Sequence, residues 1–153
     1  MRLLGHPMHP MLVAFPIGLL ALVPLWDALA LLGVTDDAAP VAYWSALAGL
    51  VGGGLAVITG LVDFVRLPPG AAVNTALVHA SAALTALSLF GVAFAFRSNT
   101  AAPSTLVIVL DALGAAVLGV TGWFGGHLVF RHGAGVEPEP AKPNTAEQRG
   151  SST

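Results

Sequence analysis

Residues 105–120 read Thr-Leu-Val-Ile-Val-Leu-Asp-Ala-Leu-Gly-Ala-Ala-Val-Leu-Gly-Val, and the apolar run continues to about residue 130 with Asp111 as its one acid. A helix needs about 20 predominantly apolar residues to cross the hydrocarbon core of a bilayer. Three more runs of the same kind lie at roughly 11–34, 41–65 and 72–96. The spacing therefore predicts an all-α integral membrane protein, a four-helix transmembrane bundle. Residues 1–132 form its membrane domain. Residues 133–153, with Pro138, Pro140, Pro143 and three glutamates, read as a disordered cytoplasmic tail.

Composition agrees. Of 153 residues, 56% are hydrophobic and only 9% charged, where a soluble domain has about a quarter charged. The net charge of −2 is too small to point to nucleic acid, which leaves the bilayer as the expected partner. The absence of cysteine excludes disulfides and Cys-ligated metal or iron–sulfur sites. Ala28-Leu29-Ala30 would suit a signal-peptide cleavage site. A single Arg2, a long apolar run and Trp26-Asp27 argue instead for a retained helix.

The positive-inside rule sets the expected orientation. Arg2, Arg66, Arg131, Lys142 and Arg149 fall on one face, whereas the other face holds only Arg97. Both termini are thus expected in the cytoplasm. Pro16 and Pro24 should bend the first helix. Each His-Pro pair should hold its histidine extended, so that His6–His9 forms a non-helical lead-in. Val-Ile-Thr-Gly-Leu-Val-Asp-Phe-Val-Arg at 57–66 resembles Gly-Val-Thr-Gly-Trp-Phe-Gly-Gly-His-Leu-Val-Phe-Arg at 119–131. Two duplicated helical hairpins would produce this likeness, although helices 1 and 3 show no matching register.

All five histidines, His6, His9, His79, His127 and His132, fall on the arginine-rich face. Ionisable side chains near lipid usually face a bundle interior, and imidazole is the common metal and haem ligand. Helical spacing sets Asp63 on a stripe with Gly49, Gly53, Ala56 and Gly60, and His79 among Ala72, Ala76, Ala83 and Ala86. Asp111, Ala115, Leu118, Gly122, Gly126, Val129 and His132 follow one face of the fourth helix, and His127 points away from it.

Three readings follow. His79 with His9 or His132 would bind a b-type haem, with the small-residue faces admitting the macrocycle. Alternatively His6, His9, Asp63, His79 and His132 would supply three or four ligands to one Zn, Cu or Fe ion. In the third reading the histidines serve structure, Asp63 pairs with Arg66, and no cofactor binds. At the opposite end, Asp27 and Asp111 lie at similar depth. They read as a proton or cation site in which one carboxyl keeps the other protonated, or more simply as two solvated acids. No Ser, His and acid arrangement of a hydrolase is recognisable, and a transporter stays open.

Gly-His-Pro-Met-His-Pro-Met-Leu-Val-Ala-Phe-Pro-Ile-Gly at 5–18, Thr-Gly-Leu-Val-Asp at 59–63, His79, and Gly-Gly-His-Leu-Val-Phe-Arg-His-Gly-Ala-Gly-Val at 125–136 together resemble a bacterial membrane-protein family, domain of unknown function 2231. The matching positions are His6, His9, Pro10, Pro16, Asp63, His79 and His132, while His127 departs from the pattern. The resemblance implies a four-helix protein of the bacterial inner membrane. Some relatives are joined to Rieske iron–sulfur domains, which implies redox work with a membrane redox partner or a second copy. It implies no established activity.

Overall fold

The computed structural model describes residues 2–3, 6–67 and 69–136. The tail read as disordered lies outside the described residues beyond Val136. One short strand pairing opens the described chain, β1 (Arg2–Leu3) antiparallel to β2 (His6–Pro7). Four helices follow: α1 (Met8–Leu31), α2 (Ala38–Phe64), α3 (Ala71–Ala95) and α4 (Thr105–Phe130). With 24 to 27 residues each and about 1.5 Å of rise per residue, every one exceeds the ~30 Å hydrocarbon thickness.

Helix α1 begins earlier than the His-Pro pairs suggest. His9 is helical, and Pro10 sits in the first turn, where the backbone N–H that proline lacks has no intrahelical acceptor. The helix also runs through Pro16 and Pro24 without interruption. It ends at Gly33, whose φ of 63° is a conformation that a residue without Cβ adopts freely.

Helix α2 turns small residues inward, while many large apolar side chains of the bundle point outward. Ala38, Ala42, Ala46, Gly49, Gly53 and Ala56 of α2 are buried, while Phe15, Leu25, Trp44, Val51, Ile58, Leu84 and Trp123 are exposed. In a bilayer the exposed side chains meet lipid, and helix association rests on close backbone approach between small residues.

The helices pair as two hairpins, α1 with α2 and α3 with α4. The contacts between hairpins, α2 with α3 and α1 with α4, are fewer and alike in extent. The two hairpins are packed in the same register. Buried Pro16, Leu20, Val23 and Asp27 of α1 correspond, at one constant offset, to Ala86, Phe90 and Ala93 of α3 and to Arg97 just beyond it. Buried Ala42, Ala46, Gly49, Gly53 and Ala56 of α2 correspond likewise to Val107, Asp111, Gly114, Leu118 and Thr121 of α4. The close approaches match too. A Cβ on Gly49 would lie 2.7 Å from Leu20 Cγ, and one on Gly114 would lie 2.9 Å from Phe90 Cε2. This register equates Gly60 with Gly125 and Arg66 with Arg131, three residues away from the match of the two Thr-Gly pairs. It also supplies the correspondence between α1 and α3 that sequence comparison lacks, because equivalent positions hold different side chains of equal burial.

The inward face of α4 is likewise turned from the expected one. It runs through Val107, Asp111, Gly114, Leu118 and Thr121, in alternating steps of four and three, while Gly122 is exposed.

Candidate functional site

The two hairpins bring His9 and His79 together. Both are partly buried, and their rings meet edge to face with centroids 6.3 Å apart. Each ring is fixed from its own hairpin partner. His9 Nδ1 lies 2.9 Å from the Ala56 carbonyl oxygen, and His79 Nδ1 lies 3.0 Å from that of Thr121. A carbonyl only accepts, so each Nδ1 carries a proton, and a ring in its neutral form then has its lone pair on Nε2. The acceptors Ala56 and Thr121 are equivalent positions of the repeat. Glycines make room for the rings. A Cβ on Gly60 would stand 2.9 Å from His9 Cε1, and one on Gly125 would stand 3.2 Å from His79 Cε1. The stripe of Gly and Ala on α2 therefore seats an imidazole at its end.

His127 and His132 do not join this pair. His132 is exposed and its Nε2 lies 3.1 Å from Thr75 Oγ1, one helical turn before His79. His127 places Nδ1 3.3 Å from the Trp123 carbonyl oxygen and packs its ring on Trp123 and Phe124, away from the pair as its spacing suggests. Asp63 is partly buried near the end of α2. The side chain of His6 lies outside the described residues. Among the described residues, no three His, Cys, Asp or Glu side chains converge as a metal site. Of the ligand set His6, His9, Asp63, His79 and His132, the structure thus brings His9 and His79 into contact.

At the opposite end the expectation of two solvated acids is overturned. Asp27 and Asp111 are each 1% exposed, and Arg97 joins them with a side chain only 2% exposed. Arg97 Nη1 donates to Asp27 Oδ1 at 2.5 Å and Nη2 to Asp27 Oδ2 at 2.8 Å, the parallel two-pronged geometry of a strong pair. Nη2 also donates to Asp111 Oδ2. Burial disfavours the charged guanidinium, but the hydrogen bond and charge of Asp27, with Asp111 behind, outweigh it and raise the Arg97 pKa. Arg97 Nε and Asp111 Oδ1 are buried without a hydrogen-bond partner. Sequence reasoning used Arg97 only as a marker of orientation. The available signal was that the sole basic residue of that face directly follows a helix, at the same level as both acids.

Asp27 and Arg97 are themselves equivalent positions of the repeat, as are His9 and His79. Residues in contact with their own counterparts lie on the pseudo-twofold axis between the hairpins. That axis is therefore marked at one end by imidazoles and at the other by an ion pair.

No curated protein and no solved structure matches the chain. A family model does, described as a predicted membrane protein (domain of unknown function 2231), over residues 5–138. The match takes in all four helices, the His9–His79 pair and the Arg97 cluster, and the chain belongs to that family of membrane proteins.

Proposed function

We propose that the His9–His79 pair is a bis-imidazole site in a small membrane redox protein, with haem b as its occupant. The carrying observation is the pair of Nδ1–carbonyl bonds, which fix the tautomer and leave both Nε2 atoms as donors, as the outer partners of metal-bound histidines do. The two rings come from different hairpins and already meet with centroids 6.3 Å apart, so one occupant would be held by both halves of the bundle. Donor number favours haem over a bare ion. A haem would ask two imidazoles of the protein, which His9 and His79 would supply, whereas a Zn, Cu or Fe ion would draw further ligands from His6, Asp63 or His132. Haem would supply one-electron exchange at the end of the bundle where α1 begins and α4 ends. His9 and His79 would hold the iron, while Ala56 and Thr121 keep the rings oriented.

A second reading has its own observation. Each ring already bridges the two helices of its hairpin through a carbonyl, so the pair also serves as a structural clasp. The visible spectrum of protein expressed with haem supply separates the two. Haem binding predicts a Soret band with visible bands that sharpen on reduction, lost or shifted in both His9→Ala and His79→Ala, and unmoved in His132→Ala. A colourless protein with stoichiometric Zn, Cu or Fe that is lost in His79→Ala would favour the ion, whose binding should weaken as imidazoles protonate at lower pH. Neither colour nor metal, with His79→Ala changing only thermal stability, would leave the clasp.

The arginine bias supports placing this end in the cytoplasm. Reporter fusions after residues 37, 70, 100 and 140 should then report outside, inside, outside and inside. An external C-terminus would move the histidine pair to the other compartment.

A further inference from the structure

The Arg97 cluster is unbalanced. Two carboxylates, Asp27 and Asp111, share one guanidinium, and all three side chains are excluded from solvent. The sharing is unequal. Asp27 occupies the guanidinium fork with both oxygens. Asp111 reaches it with Oδ2 only, and its Oδ1 is buried with no hydrogen-bond partner. We propose that the cluster is a proton-binding site, in which Asp111 carries one exchangeable proton.

Among the described residues, the surroundings offer no other source of balance. Asp27 comes from α1 and Arg97 from the segment after α3. The stripe that α2 turns inward at this end, Ala38, Ala39, Ala42 and Ala46, has no ionisable side chain. Tyr43, the nearest titratable group on that helix, packs its ring against Phe94 at 4.9 Å. Asp36 and Asp37, in the turn between α1 and α2, are exposed. On α4 itself the next ionisable residue is His127, more than four turns away. With both acids ionised the cluster would keep one uncompensated negative charge. Taking a proton from water makes it neutral and converts the unpartnered oxygen from a charged group to an uncharged one, which is far less costly to bury. Asp27 is the acid that stays ionised, since only a carboxylate accepts both prongs of the guanidinium. The cluster sits where α1 and α3 end, so the proton exchanges through the face opposite the histidine pair.

Infrared spectra of the full chain in lipid vesicles, in H2O and D2O at neutral pH, test this directly. One protonated-carboxyl C=O band is expected, shifted down on deuteration and lost on alkaline titration. The band should be absent in Asp111→Asn. It should be absent in Asp27→Asn too, because one acid then faces one guanidinium and Asp111 ionises. Asparagine resembles the protonated acid, so Asp111→Asn should keep the thermal stability of the parent, whereas Asp27→Asn should lower it. No such band in the parent protein would overturn the proposal, and this measurement needs no variant to fold. A band that survives in Asp111→Asn, or a stability order with Asp111→Asn the weaker, would move the proton elsewhere. A bandless protein whose melting temperature rises with sodium concentration would put a metal cation in its place.

Discussion

Arg97→Met should destabilise the bundle by about 3–5 kcal/mol, the range found when one partner of a buried ion pair is removed. The substitution keeps a long apolar stem but leaves Asp27 and Asp111, each 1% exposed, facing one another without a cation. Thermal unfolding of the purified protein, or its titration with a denaturing detergent, measures the loss. Adding Asp27→Asn and Asp111→Asn to Arg97→Met should recover much of it, because a neutral cluster no longer buries unpaired charge. A single Arg97→Met variant that unfolds with the parent would mean that water reaches the acids.

The second large effect is expected from Gly114→Val. A Cβ at Gly114 would meet three atoms of the Phe90 ring at 2.9 to 3.2 Å, and Phe90 is fully buried in the core with Leu20 and Val23. A ring held on all sides cannot swing aside as the end of an aliphatic chain can. Valine there should force α3 and α4 apart at a cost of about 3 kcal/mol, the upper part of the range for overpacked cores. Phe90→Ala in the same chain should recover part of it. Gly119→Ala is the control, since nothing lies within 4 Å of the added carbon. Equal effects at 114 and 119 would show that helix propensity, rather than contact between the helices, sets the outcome.

Hydropathy alone was enough for the four spans, because a bilayer demands long apolar runs and tolerates little else. The convergence of His9 with His79 was legible as a shared level of the bundle, since antiparallel helices return residues near their ends to the same depth. The partners of these rings were not. They are the main-chain oxygens of Ala56 and Thr121, and a backbone carbonyl leaves no mark in a sequence. The expected face of α4 agrees with the observed one at Asp111 and Leu118 and is one position off at Ala115 and Gly122, because Ala115 and Gly122 are nearly as small as the buried Gly114 and spacing cannot choose among near equals. Arg97 was missed for a different reason. A charged residue just past a span is ordinarily solvated, but a long side chain at that point can equally fold back along the helix end towards buried acids. Nothing within a single segment separates the two cases; only the joint presence of Asp27 and Asp111 does.

The opposite charges at one pair of equivalent positions have a consequence for assembly. Two first hairpins meeting as the two halves do would set Asp27 against another Asp27. Two second hairpins would confront Arg97 with Arg97. Either mispairing buries like charges at van der Waals range, whereas the mixed pairing joins unlike ones. The ion pair thus acts as a mating code, which lets halves of like architecture recognise the other kind and refuse their own.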